Sequence, residues 1–305
     1  MKPTDDSLQT VAAVIIAYGP GEELSANIQS ILEQVSKVIV VNNGPGSDAV
    51  LTKAAALPGV EVIHNHRNLG VAAALNQGFE RAIACGLDYV LTFDQDSKPM
   101  PGMAERLLAV YQAHPQARQI AVVGPSVDDP IAGVRARHLR ARGRLSFELV
   151  ACDTGWLEDV TFVITSGALC RVDVYQTLGG FRNDFFIDYV DMEYCLRAKR
   201  HGYQTFVNCE AHLVHRLGKR QKRTVMGRVA YPRFHAPLRW YYVSRNRIPM
   251  LKMYAFRFPY WLVYEILNFV YGFARMLLFE DQRGEKVGAF FRGTWDGMRG
   301  RLGSA

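Results

Sequence analysis

At 305 residues, 49% of them hydrophobic, the chain is long enough to bury one large core or two modest ones, which excludes disorder as the default state. Its formal net charge of +7 suits anionic partners such as sugar nucleotides, phospholipid head groups or nucleic acid, and charge alone does not choose among them. Five cysteines (Cys85, Cys152, Cys170, Cys195, Cys209) are odd in number and scattered, and no charged-then-apolar leader opens the chain. Free thiols in a reducing cytoplasmic setting are therefore expected.

Apolar runs rich in Val and Ile recur at 11–17, 38–41, 60–63, 89–93 and 120–123, and amphipathic stretches at 23–34, 71–85 and 103–114 separate several of them. That alternation predicts βα units and a mostly parallel sheet. Such sheets collect ligands at the carboxyl ends of their strands. The residues to inspect are therefore Tyr18, Asn42, Asn43, residues 65–68 and residues 94–96, all polar. A basic block at 135–144 lacks the interleaved aromatics of a nucleic-acid segment and reads as a solvated hairpin. An apolar run at 160–169 follows, then a helix opened by a capping box at Asp173 and Gln176, a Gly179-Gly180 turn, and a helix starting near Asp191.

From about Lys219 the composition turns basic and then aromatic, which places a boundary between a 1–218 domain and a 219–305 region. The apolar stretch 258–274 is interrupted by Glu265 and flanked by Arg257 and Arg275, short for a bilayer crossing. Two readings stand equally: a helix lying at a membrane interface with its aromatics and arginines at the head groups, or a helix buried against the domain.

Asp94-Gln95-Asp96 puts two carboxylates on a loop at a strand end. Like charges that close repel unless a cation lies between them, and hard oxygen ligands suit Mg²⁺ or Mn²⁺ holding a diphosphate. A second acidic group, Asp188, Asp191 and Glu193, surrounds a helix start. Asp191 there is either an ordinary cap or an ionised general base. Two other patterns lose on inspection. Gly44-Pro-Gly46-Ser-Asp-Ala49 matches a dinucleotide fingerprint, but Pro45 stiffens the loop and the match follows the second strand. Cys209-x-x-His212-x-x-His215 lacks a fourth zinc ligand, which leaves His215 as a single functional histidine.

Four ordered motifs carry a resemblance: the Asp94-Gln-Asp96 pair, Asn68-Leu-Gly-Val-Ala-Ala-Ala-Leu-Asn76-Gln-Gly78, Phe186-Ile-Asp-Tyr-Val-Asp191-Met-Glu-Tyr-Cys-Leu-Arg197, and Arg239-Trp-Tyr-Tyr-Val-Ser-Arg245-Asn246. With these the chain resembles family 2 glycosyltransferases, and within them bacterial rhamnosyltransferases, including those that build rhamnolipids, whose tails Trp295-Asp-Gly-Met-Arg-Gly300 is similar to. The resemblance implies a GT-A fold with a helical, membrane-associating C-terminal extension, a dTDP-L-rhamnose donor, a divalent cation (Mg²⁺ or Mn²⁺), a glycan or glycolipid acceptor, and inversion at the anomeric carbon. It implies that Tyr18, Asn42 and Asn43 hold the base, although many relatives carry Asp where Asn42 stands. It further implies that Asn68 and Asn76 line the nucleotide pocket, that Asp96, Asp94 and His215 hold the metal, and that Asp191 is the general base. Asp188 would contact the acceptor hydroxyl, and Arg245 or the 219–223 segment would neutralise the leaving diphosphate. The expected setting is the cytoplasmic face of the inner membrane, peripherally bound, with no nucleic-acid partner.

Overall fold

The computed structural model describes residues 6–45, 48–130, 133–215, 223–225, 228–230 and 236–305. The middle of the 44–49 pattern and residues 219–222 of the basic segment lie outside them, as does the side chain of Arg223.

The first third alternates as expected: β1 (Val11–Ala17), α1 (Glu23–Leu32), β2 (Lys37–Asn42), α2 (Asp48–Ala55), β3 (Val60–His64), α3 (Val71–Ala84) and β4 (Tyr89–Asp94). After β4 come β5 (Lys98–Pro99), α4 (Met103–Ala113), β6 (Ile120–Asp129) and β7 (Val134–Arg135). The basic block forms an antiparallel hairpin of β8 (Arg137–Ala141) and β9 (Phe147–Ala151). Then follow β10 (Trp156–Leu157), β11 (Leu169–Arg171), α5 (Val172–Leu178), α6 (Val190–Arg200), β12 (Gln204–Val214), the pair β13 (Arg223–Val225) and β14 (Arg228–Ala230), and the helices α7 (Pro237–Tyr254), α8 (Pro259–Phe279) and α9 (Arg283–Met298).

One mixed sheet runs β10-β12-β6-β11-β4-β1-β2-β3, with β4, β1, β2 and β3 parallel and β11 antiparallel to both neighbours. Every residue of β1 is buried, and its side chains alternate between two cores as a period of two requires. Ala12, Val14 and Ile16 join α3, α5 and α6 on one face; Val11, Ala13, Ile15 and Ala17 join α1 and α4 on the other. Gly78 lets α3 lie directly on β1, because a Cβ there would stand 2.3 Å from Val14 Cγ1.

Three expectations need correction. Of the 160–169 run only its last residue enters a strand, β11; the rest is a loop whose Thr165 and Ala168 carbonyls accept from the Thr92 hydroxyl. The capping box does not form: α5 is capped by Arg171, and Asp173 is spent on the Val174 N–H and on Arg171. Cys152 and Cys209 are bonded, and only Cys85, Cys170 and Cys195 are free thiols. Fifty-seven residues separate the bonded pair, so no local pattern announces it.

The C-terminal helices pack on the main body. Met250, Tyr254, Phe258, Tyr260 and Trp261 belong to the same buried cluster as α3 and α6, and the fully buried Trp261 donates to Met192 Sδ. Beyond that start α8 is two-sided: Met276 is buried with Trp240 and Ala289, while Ile266, Leu267, Val270, Tyr271, Leu277 and Leu278 are exposed. Its interrupting acid faces inward. Glu265 is 1% exposed and accepts from Arg247 at 2.8 Å and from the Tyr189 hydroxyl at 2.5 Å. At 21 residues α8 is long and apolar enough to cross a membrane by length and composition, with only 11% of its apolar window buried.

Candidate active site

Strand register gathers the predicted residues at one edge. Ala17 pairs with Asn42 and Ile16 with Asp94, so Tyr18, Asn42-Asn43 and Asp94-Gln95-Asp96 leave three adjacent strands side by side. The parallel pair β6 and β12 delivers His215 to the same edge just past Val214. Among the described residues Asp94, Asp96 and His215 offer ligand atoms that all lie within 4.8 Å of one another. His215 Nε2 stands 3.5 Å from Asp94 Oδ2, and its Nδ1 stands 3.5 Å from Asp96 Oδ1. Two carboxylates and one imidazole make a donor set that fits a hard divalent cation.

Two serines that sequence reasoning missed hold this group in place. Ser97 Oγ lies 2.9 Å from His215 Nδ1 and 2.5 Å from Ser166 Oγ, and Ser166 Oγ accepts from the Asp94 N–H. A proton on Nδ1 donated to Ser97 leaves the Nε2 lone pair towards Asp94. Ser97 adjoins the acidic pair and was legible in principle; Ser166 lies in the 160–169 loop, which was read only as an apolar run. Desolvation in the cleft raises the pKa of Asp94 while His215 opposes it, yet the side chain stays 44% exposed and open to a cation.

Gln95 ties this turn to the nucleotide side. Its Oε1 accepts from the Tyr18 N–H at 2.7 Å, and its carbonyl accepts from Asn27. The Tyr18 ring is 57% exposed and lies against Gly44, where a Cβ would stand 2.6 Å from it. Asn42 is buried with its Oδ1 unpartnered. Asn43 is fully engaged: it donates to Asn68 Oδ1 and the Gly70 carbonyl and accepts from Asn65 and the Leu69 N–H. Asn68 also accepts from the Gly70 N–H, so these two asparagines shape the entry to α3.

Asn76 is not presented to this edge as a free group. It donates to the Phe181 carbonyl and Asn183 Oδ1, and accepts from the Tyr175 hydroxyl and the Phe181 N–H. The Gly179-Gly180 turn expected from the sequence is the one that it braces, and both glycines there have positive φ.

The second acidic group occupies a strained turn. Phe186, Asp188 and Tyr189 all have φ between 61° and 63°, a region costly for residues with a Cβ. Asn246, fully buried, pins the turn by donating to the carbonyls of Phe185, Ile187 and Asp188. Gly70 locks it from the other side. At φ +88° its position leaves 2.6 Å between an added Cβ and the Phe186 carbonyl oxygen, and the Val71 N–H donates to that same oxygen. The turn ends in α6, whose cap is Tyr189 rather than Asp191. Asp191 lies two residues further on, in the first turn of α6, and accepts from the Met192 N–H. Burial pushes it up to about 6; the Met192 N–H opposes, while the charges of Asp188 and Asp94 add to the rise. Glu193 is structural, buried between Arg197 and the Tyr254 hydroxyl.

One expectation reverses. Arg245 is 1% exposed and donates to the carbonyls of Gly303, Asp184 and Phe185 and to Asn246 Oδ1, so it supports the turn and does not reach a diphosphate. Among the described residues, the arginine paired with the second acidic group's turn is Arg239, whose Nε and Nη2 both donate to Asp188 Oδ1 at 3.1 and 2.9 Å.

With this geometry in hand, the relatives are informative. The chain is 29% identical over 250 residues to the dTDP-rhamnosyl transferase RfbF of Shigella flexneri, covering 79% of this chain and 80% of that one. It is 25% identical over 250 residues to the galactofuranosyltransferase GlfT1 of Mycobacterium tuberculosis, covering 78% and 81%. A crystal structure of GalNAc-T7 with UDP, GalNAc and Mn²⁺ superposes with a TM-score of 0.60 at 12% identity over 81% of this chain. This chain spans about half (48%) of the length of that structure, and the likeness shows the fold alone: the expected GT-A arrangement. The model of "Glycosyl transferase family 2" matches residues 12–179, more than half of the 305, and the chain belongs to that family of glycosyltransferases.

Proposed function

We propose that the protein is an inverting rhamnosyltransferase that moves L-rhamnose from dTDP-L-rhamnose to a hydroxyl of a glycan or glycolipid acceptor, working peripherally at the cytoplasmic face of the inner membrane. The observation that carries the reading is the convergence of a three-ligand cation group with Asp191, a carboxylate whose pKa registers the charge of Asp94. Asp94, Asp96 and His215 would hold Mg²⁺ or Mn²⁺, which when bound screens the diphosphate charge. Tyr18 offers a ring face to the base, and the unpartnered Asn42 Oδ1 offers an acceptor to an imide N–H such as that of thymine. Asp191, ionised above about pH 6, takes the proton of the acceptor hydroxyl as that oxygen bonds to the sugar C1 and the bond from C1 to the diphosphate breaks. A single displacement inverts C1 and needs no covalent nucleophile. The galactofuranosyltransferase relatives favour a second reading, the same displacement with a different nucleotide sugar. The outward apolar face of α8 supports the membrane seat.

A product assay decides between the donors. The protein, with Mn²⁺ or Mg²⁺, is incubated with dTDP-L-rhamnose or UDP-sugars and a panel of lipid-linked and hydroxy-fatty-acid glycolipid acceptors. Transfer of rhamnose that stops on adding EDTA supports the first reading. Transfer from UDP-sugars alone replaces it with the second.

A further inference from the structure

We propose that Arg239 is the residue that meets the diphosphate, and that Asp188 holds its guanidinium only until the donor arrives. This rests on the glycosyltransferase reading above. Both donated bonds of Arg239 end on one oxygen, Asp188 Oδ1, while Asp188 Oδ2 is buried without a partner. A pair built for stability matches the two prongs of the guanidinium to two oxygens; this one leaves half of the carboxylate unmet. Arg239 sits at the mouth of the site, its side chain 46% exposed against 12% for Asp188. Its partner Asp188 lies three residues before Asp191, so the guanidinium is held on the turn that leads into the proposed general base. Among the described residues no other arginine pairs with Asp188 or Asp191: Arg245 is buried among carbonyls and Arg197 holds Glu193.

In the donor-bound state the guanidinium turns from Asp188 to the diphosphate oxygens. As the bond from C1 to the diphosphate breaks, the electron pair goes to the leaving oxygen, and Arg239 stabilises that charge by hydrogen bonds without giving up a proton. The acceptor proton goes to Asp191. Asp188 Oδ1, released, is free to accept from the acceptor hydroxyl, so the donor binds first.

The test uses the full chain with Mn²⁺ and measures dTDP and thymidine affinity by calorimetry for wild type, Arg239→Gln, Arg239→Lys and Asp188→Asn. Arg239→Gln is expected to weaken dTDP about tenfold to a hundredfold and leave thymidine unchanged, with Arg239→Lys in between. Asp188→Asn is expected to tighten dTDP, because the competing carboxylate charge is gone, and the gain disappears in the double variant. Equal dTDP affinity in Arg239→Gln and wild type overturns the proposal, as does an equal loss for dTDP and thymidine. Should wild type prefer UDP to dTDP, the same series run with UDP and uridine tests Arg239. If wild type binds neither nucleoside diphosphate, it is the glycosyltransferase reading that fails.

Discussion

The carboxylate of Asp191 is held against its own preference. Its folded pKa of about 6 lies above the ordinary Asp range, so the folded state binds the proton more tightly than the unfolded chain does. Its contribution to stability is fully present below about pH 4 and is lost as pH rises through about 6, up to roughly 3 kcal/mol in the metal-free protein. Asp191→Asn should therefore raise the thermal midpoint at pH 7.5 and leave it unchanged near pH 4, while lowering kcat by about 10² to 10⁴. A variant with full turnover would remove Asp191 from the reaction. Ser97 acts on His215 instead of on substrate. Ser97→Ala should weaken Mn²⁺ binding about tenfold to a hundredfold in a metal titration, with the fold intact by circular dichroism. At this scale the sequence spoke clearly where chemistry and position coincide, as at Asp94 and Asp96, which follow an apolar run directly. It spoke poorly where one motif offers two arginines. Arg239 and Arg245 lie six positions apart on α7, and the buried one donates to the carbonyls of Asp184, Phe185 and Gly303, long-range contacts that no spacing encodes.

The elements of the first hundred residues were legible because β1 and β2 are short Val- and Ile-rich runs buried on both faces, and each ends in polar residues. The 160–169 run forms a loop because its backbone groups are met singly and by different neighbours: Val160 donates to Thr205, Thr161 to Leu139 and Gly167 to Thr92, with no continuous ladder until β11. The bonded cysteines lie on segments that meet only when β10 pairs with β12. The least forgiving joint between elements is the entry to α3 against the turn before α6. Gly70→Ala adds a Cβ at positive φ and drives it into Phe186, a change expected to cost roughly 1–3 kcal/mol. Because Phe186 leads directly into Asp188, the same variant should lose kcat more than donor affinity. A thermal melt and a saturation curve measure the two effects separately.

Taken whole, the molecule has a wet working edge and an apolar flank, and the flank is α8. The reading that set interface against burial is answered unevenly along one helix: its first turn is core, and its outer strip is bare. Replacing Ile266 and Leu267 by Glu should abolish sedimentation with anionic vesicles, which in the wild type should weaken as salt is raised. Binding indifferent to both changes would rule out a membrane seat on this strip. The inward-facing Glu265 has a larger consequence. Through one hydrogen bond from Tyr189 it ties the flank to the turn that carries Asp188 and leads into Asp191, so a movement of either is expected to be felt by the other. A spin label on the outer strip of α8 can then report on the reacting turn during turnover, from a position that no substrate touches.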